Sequence, residues 1–228
     1  ALNGIGPRLG SLINRCTGPY LVHLLWHLPS GFTDRRYAPK VAEATPGTIA
    51  TITVQVDKHK KPPNKRLPYK VVCSDETGSL SLVFFRARED YLRKTLPEGE
   101  TRVVSGLLDT FGEEVQITHP DHIVPVDEIG SLMVMEPIYP LTTGLTMKVL
   151  NRAITEVLKE VPDLPEWAEE RLVKRENWPS WREAIIKAHS PETVGDLEST
   201  AQSRRRLAYD ELLSNQIALA ITRRYIRR

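Results

Sequence analysis

The chain has 228 residues, 40% of them hydrophobic and 26% charged, a balance that excludes wholesale disorder and allows one large domain or two small ones. The net charge of +2 hides a segregation: residues 1–112 carry 16 Lys/Arg against 10 Asp/Glu, residues 113–200 carry 8 against 17, and residues 201–228 carry 7 against 2. A basic front half suits an anionic partner, and a plainly solvated surface accounts for the same charge.

No apolar run approaches the ~18 residues of a membrane span, and no leader pattern is present, so a soluble, cytoplasmic protein with no membrane partner is expected. Cys16 and Cys73 are too few for a disulfide framework and have no metal-ligand spacing. The sequence starts on Ala1 and stops at Arg228 inside an apparent helix, which reads as a piece of a longer protein.

Residues 1–45 read as helical and loop-rich. GIGPRLGSLINR places Leu9, Leu12 and Ile13 at helical spacing behind Gly4, Gly6 and Pro7. GIGP also resembles the hairpin of a helix-hairpin-helix motif, a candidate phosphate hairpin in which Gly4 and Gly6 open the backbone to an anion and Arg8 adds charge. A tight structural turn is the other reading. YLVHLLWHLPSGF is a second apolar helix, stopped by Pro29 and Gly31.

From 46 to 125 the period changes to two. Strands are predicted at 48–56, 69–75, 78–85, 101–109 and 114–119, with one helix at 88–96 between the third and fourth. Five strands with a helix in that place are the plan of an OB-fold barrel, so the chain is expected to be α+β: a five-stranded OB barrel flanked by N-terminal helices and a C-terminal helical linker.

Two stretches of the barrel carry candidate binding residues. HKKPPNKRLPYK, read as a loop between the first two strands, gathers Lys60, Lys61, Lys65, Arg66 and Lys70, with Lys58 just before it, around Pro62, Pro63 and Pro68, a stiff basic arm for phosphate contact. In LSLVFFRAREDYL, alternation sends Leu80, Leu82 and Phe84 to the core and Phe85 outward. Phe85 and Tyr91, with Arg86 and Arg88 between them, form either a stacking platform for bases or the packing of the helix onto the barrel.

Residues 126–228 read as linker and then helices, at 147–161, 165–175, 180–189 and from 198 onward. The last presents Ala208, Tyr209, Leu212, Leu213, Ile217, Leu219, Ala220 and Ile221 over an arc too wide for burial against one neighbour. No glycine precedes a lysine, so there is no phosphate-binding loop of the G-x-x-x-x-G-K type, and neither G-x-S-x-G nor H-E-x-x-H occurs. The pairs His23/His27 and His119/His122 read as structural. No catalytic group, metal or cofactor is expected in this segment.

The strings GIGPRLGSLI, HLLWHLPSGFTDRR, DETGSLSLVFF, FGEEVQITHPDHIVP, EPIYPLTTGLTMKVLNRAI and RRRLAYDELLSNQIAL stand in the order of the N-terminal region of the RecG family of bacterial ATP-dependent DNA helicases. The chain resembles that region over nearly its whole length. The resemblance implies a wedge domain (46–125) between an N-terminal segment (1–45) and a linker (126–228) leading to a motor that would use ATP and Mg2+ outside this segment.

It further implies binding to forks and Holliday junctions, with aromatics stacking where strands part, in recombination, repair and stalled-fork reversal. The family's wedge aromatics fall on Phe85 and Tyr91. FFRAREDYL is longer between them than the family's usual form, which bears more on Tyr91 than on Phe85. The implied partners are branched DNA and the protein's own motor, with single-strand-binding protein a further candidate, in a monomer associated with the bacterial nucleoid. The alternatives are a general single-strand-binding OB module and a protein-interaction module.

Overall fold

Apolar residues at every second position fold into strands that bury one face, and the helical periods on either side fold into amphipathic helices. The computed structural model describes residues 2, 4–64, 66–112 and 114–226; the predicted phosphate contact Lys65 lies outside them. Helices α1 (Pro7–Thr17) and α2 (Leu21–Trp26) precede strand β1 (Gly31–Asp34). Then come β2 (Ile49–Lys60), β3 (Tyr69–Ser74), β4 (Ser79–Phe84), α3 (Glu89–Thr95), β5 (Thr101–Phe111), β6 (Glu114–Thr118) and β7 (His122–Val124). Helix α4 (Ile129–Leu132) leads to β8 (Met135–Ile138), which pairs with β1, and helices α5 (Met147–Lys159), α6 (Glu170–Glu176), α7 (Trp181–His189) and α8 (Gln202–Ile226) follow.

These elements form two compact units, one of residues 1–32 and 137–228 and one of residues 33–136. The helical segments at the two ends of the chain, separate in sequence, share the first unit. Among the described residues no helix is long and apolar enough to cross a membrane.

The second unit is an OB-fold barrel. β2 runs antiparallel to both β3 and β5, β3 to β4, and β5 to β6, and the parallel pairing of β4 with β6 completes the ring. Ala50, Ile52, Val54 and Val56 of β2 fill it with Val71, Cys73, Leu80, Leu82, Val104, Leu108 and Ile117. Burial inside pushes the Cys73 thiol up to about 12, so it stays a thiol.

The sequence placed the end of the first barrel strand near Val56, yet β2 continues to Lys60. A bulge between Val56 and Lys58 shifts the register and reverses the phase, so that His59 points inward where a simple alternation would place it outside. Its Nε2 donates to the Leu96 carbonyl at 2.7 Å, and its Nδ1 accepts from the Tyr69 hydroxyl at 3.0 Å.

A second buried polar group ties the ends of this unit. Arg35 donates to Glu136 at 2.7 Å, to the Ser105 hydroxyl at 3.1 Å and to Asp121 at 3.1 Å. His122 beside Glu136, together with Arg35, holds the Glu136 carboxyl down at about 2.

In the first unit, Ile13, Leu24, Leu25, Leu150, Ile154, Val157, Ile185 and Leu207 form the core. Ser180 and Glu183 close a capping box at the start of α7. The first turns of α8 are fixed by the fully buried Arg206, which forks onto Glu166 at 2.7 and 2.8 Å and reaches Asp210 at 3.0 Å. Beyond Asp210 the helix is exposed or half-buried, and Leu212, Ile217, Leu219, Ile221, Tyr225 and Ile226 face solvent.

His189 is buried at the end of α7, bonded to the Tyr139 hydroxyl and the Leu25 carbonyl, each at 2.9 Å. Burial lowers it from 6.5 to about 4. The unfolded imidazole therefore takes up a proton at a higher pH than the folded one. Stability of this unit is full above pH ~6.5 and falls by about 3 kcal/mol as pH drops towards 4. All four tryptophans belong to this unit, so urea unfolding followed by tryptophan fluorescence reads it. His189→Gln is expected to remove most of the slope between pH 6.5 and 4.

Candidate nucleic-acid interface

The candidate interface starts where β4 ends. Phe84 closes the core, and the next residue, Phe85, leaves the barrel with 51% of its surface exposed. Arg86 then turns the chain with φ +56°, a left-handed conformation that costs a non-glycine residue of order 1–3 kcal/mol and persists only where its surroundings impose it. His119, directly after β6, is also left-handed, with φ +50°. Its Nε2 accepts the Phe85 backbone N–H at 3.2 Å, and its ring lies 5.8 Å from the Phe85 ring and 6.1 Å, edge-on, from that of Phe84.

Helix α3 carries Glu89 and Asp90 in its first turn and Arg93 and Lys94 in its last, as the helix dipole favours. Leu92 and, just beyond the helix, Leu96 are buried and seat it on the barrel. Tyr91 falls off that buried stripe and is 63% exposed. Neither Phe85 nor Tyr91 is what packs the helix.

The basic arm divides into bound and unbound cations. Lys58 and Lys60 belong to β2 and Lys70 to β3, which leaves the connection itself at residues 61–68. Lys61 pairs with Glu89 at 2.8 Å, and Arg93 adds a second contact to that carboxylate at 3.1 Å. Lys70 pairs with Glu114 at 2.7 Å, and the Ser81 hydroxyl donates to the same carboxylate. Both glutamates are held below the usual carboxylate range, Glu89 by Lys61 first and Glu114 by Lys70 first. Lys58, Lys60, Arg66, Arg86 and Arg88 are exposed and make no ion pair among the described residues.

Gly4, Gly6 and Arg8 belong to the other unit. Gly4 has φ +68°, its carbonyl accepts the Arg152 guanidinium, and a Cβ there would collide with that same guanidinium. Gly6 caps α1 and Arg8 is exposed in its first turn. The glycine at position 4 thus has a packing reason of its own.

Two residues beside the barrel were not marked as binding candidates in the sequence, His119 being read only as structural. His119 carries no motif and shows its contacts only once β6 is docked. Phe111 is 72% exposed at the β5–β6 turn, where Gly112 has φ +65°; an FG pair at the end of an alternating run was its only signal.

A closed OB barrel with rings standing outside the core and exposed cations on its strands and loops is of the kind that binds oligonucleotides. The chain matches the RecG wedge domain over residues 2–161 and belongs to that family. It is 28% identical over 221 residues to the ATP-dependent DNA helicase RecG of Acidithiobacillus ferridurans, covering 96% of this chain and 32% of that protein. The RecG of Aquifex aeolicus is 26% identical over 217 residues, covering 90% and 27%. The chain therefore spans about a third or less of the length of these relatives. A solved structure of RecG bound to a three-way DNA junction superposes with a TM-score of 0.76 at 25% identity, over 97% of this chain and 30% of that one.

The exposures set distinct mutational costs. Phe85→Ala and Tyr91→Ala are each expected to lower folding stability by less than ~1 kcal/mol, and Leu92→Ala by about 2–5 kcal/mol. Thermal and urea melts of the three variants check this.

Proposed function

We propose that this chain is the branched-DNA-binding, strand-separating wedge of an ATP-dependent DNA helicase. The observation that carries the reading is the exposure of two rings, Phe85 just beyond β4 and Tyr91 on α3, on a barrel of the RecG wedge family. Phe85, with Tyr91 as a second ring, stacks on the bases where the arms of a fork or four-way junction part, at ~1–3 kcal/mol per base. Lys58, Lys60 and Arg66, with Arg86 and Arg88, contact phosphates; Lys61 and Lys70 join them by exchanging Glu89 and Glu114 for phosphate. Gly4, Gly6 and Arg8 are a secondary phosphate contact in this scheme.

The whole protein would pull duplex across the wedge with a motor outside this chain, where ATP and Mg2+ would act, in recombination, repair and reversal of stalled forks. The sequence carries no phosphate-loop lysine. This segment's work is to bind, orient and part strands. In the same scheme single-strand-binding protein is a second, protein partner, and the protein acts as a monomer in the bacterial cytoplasm, at the nucleoid.

Competition of a fork against matched duplex and single strand tests the reading. The fork is expected to bind most tightly, and equal affinity for the single strand would replace the wedge with a plain single-strand binder. Changing Lys58, Lys60 and Arg66 together to Ala is expected to weaken all DNA forms alike. On duplex it should flatten the slope of log K against log salt by about 0.9 for each phosphate no longer neutralised. An unchanged slope would remove the arm from the interface.

A further inference from the structure

We infer that His119 is a positioning residue for the wedge, setting the direction of Phe85 through one hydrogen bond and one ring contact. The inference rests on the reading of Phe85 as a stacking ring. It starts from a geometric problem: Phe85 is one residue beyond the last pair of β4, so no strand ladder fixes it, and Arg86 turns the chain away immediately. A ring on an unsupported strand end samples many orientations, and stacking on a base would then carry the entropic cost of ordering it.

His119 supplies the missing support. It comes from β6, whose Thr118 is the partner of Val83 in the parallel pairing, and its own N–H donates to the Val83 carbonyl at 2.9 Å. From there its Nε2 takes the Phe85 N–H, in the place of a further ladder bond, and its ring sits between those of Phe84 and Phe85. The left-handed backbone at His119 aims the ring back at β4 instead of onward along β6. His119 thus links the buried ring of the pair to the exposed one.

The chemistry asks for two features at once, an acceptor and a flat ring, on a residue tolerated at positive φ. Histidine is several-fold enriched there, and Asn shares that tolerance but lacks the ring. Because the effect passes through Phe85, removing either residue should remove most of the same contribution.

The test uses the whole chain in two arms. Without DNA, amide hydrogen exchange of Phe85 is expected to rise about three- to tenfold in His119→Ala, the size of one ordinary hydrogen bond. His119→Asn should leave it partly protected, with at most a small fall in melting in both. With DNA, a fork carrying 2-aminopurine at the branch reports stacking. His119→Ala should weaken fork affinity about three- to tenfold and reduce quenching, and the double variant Phe85→Ala/His119→Ala should be no weaker than Phe85→Ala alone.

Unchanged Phe85 exchange in His119→Ala would overturn the positioning role whatever the DNA shows. Additive losses in the double variant would overturn it differently, making His119 a direct DNA contact. Raised exchange with a Phe85→Ala variant that binds forks normally would leave His119 as the residue that orders Phe85 and dismiss the stacking role of Phe85 instead.

Discussion

The parallel pairing of β4 with β6 is the constraint on which the candidate interface depends. It closes the ring of β2 to β6, with β7, paired only to β5, at its rim. It also sets the level at which β4 runs out: Leu80 lies opposite Val115 and Val83 opposite Thr118, so the residues that follow, Phe84–Phe85 and His119, emerge together. A shift of this register by one residue would reverse the faces of β4, burying Phe85 and exposing Phe84. The buried Leu80, Leu82 and Phe84 make such a slip costly.

The electrostatics of the arm follow from the same ring of strands. Glu89 on α3 and Glu114 on β6 each hold one lysine of the arm, which draws both ends of the 61–68 connection onto the barrel. Exposed pairs of this kind contribute little to folding, typically below ~1 kcal/mol. They can therefore be traded for a phosphate at small cost. The stiffness of the connection comes from Pro62, Pro63 and Pro68, and its position comes from the two glutamates.

Much of the barrel was legible because its core residues recur at every second position from Ala50 to Val56 and from Leu80 to Phe84. The outward direction of Phe85 followed from the same parity. What parity could not say is whether an outward ring is free or covered, because that depends on α3, and Leu92 with Leu96 took the covering role. The bulge at Val56–Lys58 left no mark in composition, so His59 read as part of a loop although it is buried and bonded on both ring nitrogens. The contacts of Arg35 and His119 were hidden for a related reason. Their partners are separated from them by 34 to 101 residues, and a lone polar residue announces nothing until the chain has folded. The joining of both chain ends in one unit is equally a long-range fact, carried by contacts such as His189 with Leu25.

A wedge of the kind proposed must not yield when a duplex is drawn against it, and the location of Phe85 would meet that demand better than a loop tip. Load on the ring passes to the backbone of β4, a strand hydrogen-bonded on one side to β3 and on the other to β6. β4 is further held by Leu80 and Leu82, which are fully buried. Tyr91 rests on a shorter support, a seven-residue helix fastened mainly by Leu92 and Leu96. An isolated helix of that length is not stable by itself, so its stiffness is borrowed from the barrel through those two leucines. The two rings are thus unequal in foundation. Under the proposed reading, the mechanical load of strand separation would fall on Phe85, and Tyr91 would follow a base already turned aside.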